Sequence, residues 1–346
     1  MDNSAKTGQP AMKGFKRKAH DLAELTLVKT RVLGPGETLP LVMEPGMNNL
    51  DLAEWAADNR ALIESKLLLH GGLLFRGFNL KTVADFERVA LALCPDLFGD
   101  YGDLPRESEG ERVYASTPYP ADQPILFHSE SSHLPSWPMR QFFFSVIAAE
   151  TGGETPMLDN REVYRKLDPK LRDRFADKGL IYVRNFAGFD VSWQDFFHTT
   201  DRAQVEKTCR EVGMDCEWTG GDNLRVRQRT RAVAKHPRTG EMVFFNQIQL
   251  HHVSSLDAKT RDSLRSLFKE EDLPRNVLYG DGTPIEDDVV AEITELSWKT
   301  AKMLPWHVGD IMMLDNMLTA HARMPFTGAR KIVVAMGEML HAKDLL

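Results

Sequence analysis

Residues 127–133 read FHSESSH, which puts two imidazoles, one carboxylate and three hydroxyls within seven residues. In an extended chain residues two apart share a face, so His128 and Glu130 would project one way and Ser129 the other. An imidazole nitrogen beside a carboxylate oxygen is the beginning of a divalent-metal site. Two histidines and one carboxylate bind a metal while leaving other positions open, the arrangement of non-haem Fe(II) oxygenases. The pair alone fits a polar loop ahead of a strand equally well, so a third donor must come from elsewhere. His133, His198, His236, His251, His252, His307, His321 and His341 are the candidates. His321 stands in GDIMMLDNMLTAHARMPFTGARKIVVAM, where an apolar strand passes through a polar turn into another extended stretch. Arg330 then opens the strand KIVVAM. A guanidinium entering a core strand needs a partner. A dicarboxylate cosubstrate would supply one through the bidentate fork that arginine offers.

The chain that must position these residues has 346 of them, with a net charge of −7, 42% hydrophobic and 27% charged residues. That is the composition of an ordinary globular enzyme. The negative charge argues against a nucleic-acid partner. No apolar run approaches the roughly 18–20 residues needed to span a bilayer. The polar start MDNSAKTGQPAMKGFKRKAH lacks a signal-peptide core, so residues 1–24 read as a flexible tail and the protein as cytoplasmic. Cys94, Cys209 and Cys216 are odd in number and fit no CxxC spacing. They read as reduced thiols, which leaves any metal to nitrogen and oxygen donors.

Helices are expected over LAEWAADNRALIESKLLL, stopped by Gly71-Gly72, and over TVADFERVALALC, capped by Thr82. Others should start at Asp168-Pro169, Asp201 and Asp257 and cover IEDDVVAEITELSWKTAKML. Strands are expected at LLFRGF, QFFFSVIAA, LIYVRNF, LRVRQRTRAV, MVFFNQ, VGDIMMLDN and KIVVAM. They do not alternate with helices, and no GxGxxG follows a strand, so a dinucleotide fold is unsupported. The expected fold is mainly β with surrounding helices, a double-stranded β-helix (cupin-like jelly-roll) core. Residues 25–346 form one domain in this reading, with helical insertions at about 186–235 and 255–305.

FHSESSHLPSWPMRQFFFSVIAAETGGETPMLDNREVYRKL resembles the first motif of the taurine dioxygenase (TauD/TfdA-like) family of Fe(II)- and 2-oxoglutarate-dependent oxygenases. FFNQIQLHH, YGDGTPIEDDVV and GDIMMLDNMLTAHARMPFTGARKIVVAM resemble its later blocks, so the likeness covers about residues 70–340. The pattern is closest to SyrP-type amino-acid and natural-product hydroxylases. The resemblance implies His128, Glu130 and His321 as iron ligands. It implies Thr155 of GGETP and Arg330 as contacts to 2-oxoglutarate. Fe(II), 2-oxoglutarate and O2 would be the cofactors, and hydroxylation with release of succinate and CO2 the outcome. Glu130 departs from the more usual Asp but occurs in the amino-acid-hydroxylating branch. Similar halogenases carry Gly or Ala at that position, so a carboxylate there argues for oxygenation. Arg323 is an alternative cosubstrate or substrate contact, and His133 and Asn246 are candidate substrate contacts. His251 and His252 read as loop or supporting residues, and Asp159 and Asn316 as turn supports.

RVRQRTR places Arg225, Arg227, Arg229 and Arg231 on one face of a strand. They form either a solvated surface or a cationic stripe for an anionic substrate or an acidic carrier protein. The implied partner is a small molecule, amino-acid-like or a natural-product intermediate, free or carrier-tethered. A small sulfonate, phosphonate or carboxylate is the alternative. No nucleic-acid or membrane partner is expected, and a homo-oligomer remains open. A zinc hydrolase or cupin isomerase could use the same His/Glu/His set, but would leave GGETP and Arg330 without a role.

Overall fold

The computed structural model describes residues 27–98, 108–115, 119–189 and 191–345. The tail expected at 1–24 lies outside them. A seven-stranded sheet runs, in spatial order, β1 (Val28–Arg31), β2 (Leu41–Pro45), β3 (Gly72–Phe75), β15 (Ile311–Asp315), β6 (Ser136–Ile147), β18 (Lys331–His341) and β4 (Tyr114–Ala115). Among the described strands, only β2 and β3 pair in parallel. A three-stranded antiparallel sheet of β5 (Ile125–His128), β16 (Thr319–Arg323) and β8 (Met157–Asp159) completes the jelly-roll. Short pairs join β7 (Thr151–Gly152) to β17 (Phe326–Thr327) and β12 (Val233–Lys235) to β13 (Met242–Phe244).

Alternation along the strands decides which side chains reach the interior. On the seven-stranded sheet Phe142, Phe144, Met313, Val333 and Ala335 pack outward with the helices Leu52–Asp58 and Val83–Leu93. Phe143, Met312, Ile332 and Val334 turn the other way and share a cluster with Met157 of the smaller sheet. In that sheet Phe127, Leu158, Ala320 and Ala322 join an outer cluster with the helix Asp287–Thr300. His321 and Arg323 alternate with the two alanines and line the interior. Both faces of β6 are covered, which is why its Phe142, Phe143 and Phe144 follow one another without a polar residue between them.

The helix at 83–93 begins in a capping box. The Asp85 N–H donates to Thr82 Oγ1 (3.1 Å), and the Thr82 N–H donates to Asp85 Oδ2 (3.0 Å). Its Phe86 stacks on Phe144 with 5.2 Å between centroids. The single helix expected before Gly71 is two, Leu52–Asp58 and Arg60–His70. Asn59 breaks it by donating from Nδ2 to the Trp55 carbonyl at 2.8 Å, a local competitor for helix hydrogen bonds. The segment 186–235, read as a helical insertion, carries strands as well. There β10 (Met214–Gly220) and β11 (Asn223–Thr230) form a hairpin, and β11 pairs with β9 (Leu180–Phe186), itself paired with β14 (Arg275–Tyr279). The 255–305 segment likewise supplies β14 besides its helices.

Under the sheet junction lies a buried ionic cluster. Arg140 donates to Asp315 Oδ2 at 2.5 Å and to Glu64 at 2.6 Å. His236 accepts the N–H groups of Arg238 and Thr239 at Nδ1, so its Nε2–H faces Asp315 at 3.3 Å. Burial alone would push the Asp315 carboxyl up, but Arg140, His236 and the Leu318 N–H outweigh it and hold it down at about 2. Its folded value lies below the ordinary one. The stabilisation is therefore present above pH ~4 and lost as pH falls towards 2. Arg140→Met should cost about 3–5 kcal/mol by leaving a buried carboxylate unpaired, read by urea denaturation at neutral pH. Asp315→Asn should flatten the stability loss between pH 4 and 2, and an unchanged acid limb would contradict this account.

Candidate metal centre and cofactor cavity

The antiparallel register of β16 on β5 sets His321 directly opposite His128. Their ring centroids are 4.3 Å apart, and Phe143 packs on the His321 ring at 5.0 Å. One donor atom each from His128, Glu130 and His321 lies within 4.8 Å of the other two. This set matches the needs of a divalent metal: two nitrogens and one oxygen, with no thiolate. The His128 Nδ1–H donates to the Leu126 carbonyl at 2.8 Å, which fixes the tautomer with its lone pair on Nε2.

Strand alternation is only part of how His128 and Glu130 converge. β5 ends at His128, and Glu130 stands in the following turn, where Ser131 takes φ 54°. Ser129 points away and is fully buried, with its Oγ accepting from Asn160 Nδ2 at 3.0 Å and its carbonyl from Gln247 Nε2 at 2.9 Å. Asn316, read as a turn support, holds the Glu130 backbone at both ends. Its Oδ1 accepts the Glu130 N–H at 2.7 Å, and its Nδ2 donates to the Glu130 and Pro138 carbonyls at 2.9 and 2.8 Å.

The three donors open into a cavity of about 620 Å3 between the sheets, walled by apolar Ile125, Phe143, Ile332, Val334 and Met336. Thr155, Arg323 and Arg330 also line it. The Thr155 Oγ1 accepts from Trp306 Nε1 at 3.1 Å, which leaves its own O–H as a donor. Arg330 donates from Nε to the Gly153 carbonyl at 2.9 Å and lies over the Phe326 ring. A Cβ on Gly153 would come within 2.9 Å of Arg330 Cδ, and Gly153 has φ 72°, so this glycine makes the approach possible. Arg330 makes no ion pair among the described residues. Burial, with the repulsion of Arg323, pushes its pKa down to about 10, leaving it charged at neutral pH.

Other expected contacts fall elsewhere. Arg323 lines the cavity, but its Nη groups are occupied by the carbonyls of Tyr119, Pro120 and Gln123. It anchors that loop. Asn246 is not in the cavity wall. Its Oδ1 accepts the Ile248 N–H and its carbonyl receives the Ser129 N–H. His133 rings against Tyr182 and His251 outside the cavity. His252 is held by Ser254 and the Ile285 carbonyl. Arg227 lies on the outer hairpin beside Glu217 at 3.2 Å, remote from the cavity wall. Trp306 and the cavity-lining Gln141 carried no signal of spacing that would have singled them out.

A carboxylate and two imidazoles at the mouth of a jelly-roll interior, with buried arginines beyond, are the makings of a metal-dependent oxygenase. The comparisons identify the family. Residues 34–336 match the family described as "Taurine catabolism dioxygenase TauD, TfdA family", and the chain belongs to it. It is an Fe(II)- and 2-oxoglutarate-dependent dioxygenase that uses O2, which sets aside the hydrolase and isomerase readings. It is similar to the dapdiamide synthesis protein DdaC of Enterobacter agglomerans, at 36% identity over 79% of this chain and 84% of that one. A clavaminate synthase-like protein of Arabidopsis thaliana is 27% identical over 91% and 99%. Among solved structures, PvcB of Pseudomonas aeruginosa superposes with TM-score 0.56 at 14% identity, covering 92% of this chain and 95% of that one. No helix among the described residues is long and apolar enough to cross a membrane.

Asn316→Ala should remove three hydrogen bonds, to the Glu130 N–H and to the Glu130 and Pro138 carbonyls, costing about 1–3 kcal/mol in chemical denaturation. A change below the error of the measurement would show that the turn is held by other contacts.

Proposed function

We propose that His128, Glu130 and His321 hold the iron, and that Thr155 and Arg330 bind 2-oxoglutarate. The observation that carries this is the three-donor cluster opening onto a cavity with a buried, unneutralised guanidinium. Arg330 presents two nitrogens to a carboxylate while Nε stays on Gly153, and the Thr155 hydroxyl donates alongside. Bound iron, 2-oxoglutarate and O2 supply the oxidising chemistry, with succinate and CO2 as co-products and a hydroxylated substrate. The chain's part is to orient these groups and to exclude water with its apolar walls.

The substrate we infer is a small amino-acid-like molecule or natural-product intermediate. The 36% identity to a dapdiamide synthesis protein supports this class. The competing class of sulfonates, phosphonates or carboxylates leaned on the arginine stripe. Arg225 and Arg227 are there neutralised by Asp272 and Glu217, away from the cavity. The same neutralisation removes much of the footing for an acidic carrier protein.

His128→Ala should abolish succinate formation from 2-oxoglutarate and lower Mn(II) affinity. Arg330→Met should raise the KM for 2-oxoglutarate by about 100-fold, the loss of ~2–3 kcal/mol from a buried charge pair, with Mn(II) affinity retained. Equal succinate yields from wild type and His128→Ala would refute the ligand assignment.

A further inference from the structure

A second cavity of about 870 Å3 shares no lining residue with the first. Its floor is apolar and aromatic, with Trp137 and Phe245 in ring contact at 5.0 Å and Leu134 and Ala234 beside them. Its cations are Arg229, Arg231 and Lys343, and no Asp or Glu is among the described residues that line it. Arg231 and Lys343 are exposed and make no ion pair among the described residues. Two further lining side chains are more than nine-tenths buried yet carry a polar atom with no hydrogen-bond partner in the protein, Gln228 at Oε1 and Trp137 at Nε1.

This cavity also accounts for the arginine stripe. Its first half, Arg225 and Arg227, is matched by acids of the same surface. Its second half, Arg229 and Arg231, runs to the cavity. Arg229 gives one N–H to the Gly280 carbonyl and keeps its charge. An apolar floor with convergent cations and few other polar groups is the composition of a small-molecule site.

We propose that this cavity is a second binding site, for an amphipathic anion. An aromatic or aliphatic body would lie on Trp137 and Phe245, and a carboxylate, sulfonate or phosphate head would face Arg231 and Lys343. The site stands apart from the iron and 2-oxoglutarate residues, so its test does not depend on them.

The probe is 8-anilinonaphthalene-1-sulfonate, titrated by fluorescence into protein loaded with Mn(II) and 2-oxoglutarate. Decanoate and decyl phosphate serve as non-fluorescent competitors. The Arg231→Glu/Lys343→Glu double variant changes two exposed side chains and should weaken probe binding at least tenfold, with succinate formation unchanged. Ala234→Trp, which fills the cavity, should remove binding. Displacement by either competitor supports the site and tells which head group it prefers. The proposal fails if the charge-reversed protein binds the probe as tightly as wild type. It also fails if neither competitor displaces the probe, or if the probe leaves on addition of excess 2-oxoglutarate.

Discussion

The turn between β15 and β16 is where the larger sheet hands the chain to the smaller, and two adjacent side chains make that handover rigid. Asp315 accepts the Met317 and Leu318 N–H groups, which shapes the turn, and takes the Arg140 charge from β6. Asn316 reaches across 186 residues of sequence to clasp the backbone of Glu130. One turn therefore fixes β16, which carries His321, and the loop that carries Glu130. A constellation of ligands is useful only when its supports hold it to within a fraction of an ångström. Here the support is a buried charge pair and three amide hydrogen bonds, which tolerate little displacement.

The cavity follows an opposite rule. At the sheet junction charges are matched, but within the interior burial and the neighbouring Arg323 charge both depress the pKa of Arg330. Arg323 has its Nη groups answered by loop carbonyls, which bond them without cancelling charge. Arg330 has one carbonyl and an aromatic face. A buried cation left this way costs stability unless an anion arrives. The arrangement therefore favours a dianionic occupant over water, and Gly153 is small because the arginine passes where a side chain would be.

Much of this was legible before the fold. The His-x-Glu spacing, the late histidine and the arginine entering a core strand each state a local chemical need, and the helix caps at Thr82, Asp168, Asp201 and Asp257 state local backbone needs. What was hidden depends on contacts across the chain. Asn59 looks like any polar residue on a helix until its amide takes the Trp55 carbonyl. Asn316 looks like a turn residue until Glu130 is brought beside it. Asn246 reads in the sequence as either an inward contact or a cap, and its bond from the Ile248 N–H appears only once the turn is built. The arginine stripe was the least readable feature, since period two shows a shared face but not which acids lie opposite.

The anchored turn also gives Glu130 a physical reason to be longer than aspartate. Because β5 stops at His128, residue 130 no longer continues the strand towards the partner imidazole but sits in the bend that Asn316 pins. Its N–H and its carbonyl are both held by the Asn316 amide. Removing one methylene would draw the oxygens back by about 1.5 Å. The donor atoms now lie within 4.8 Å of one another, and a shorter carboxylate would start from further back. Side-chain length and the Asn316 clamp on the backbone together set where the Glu130 carboxylate stands.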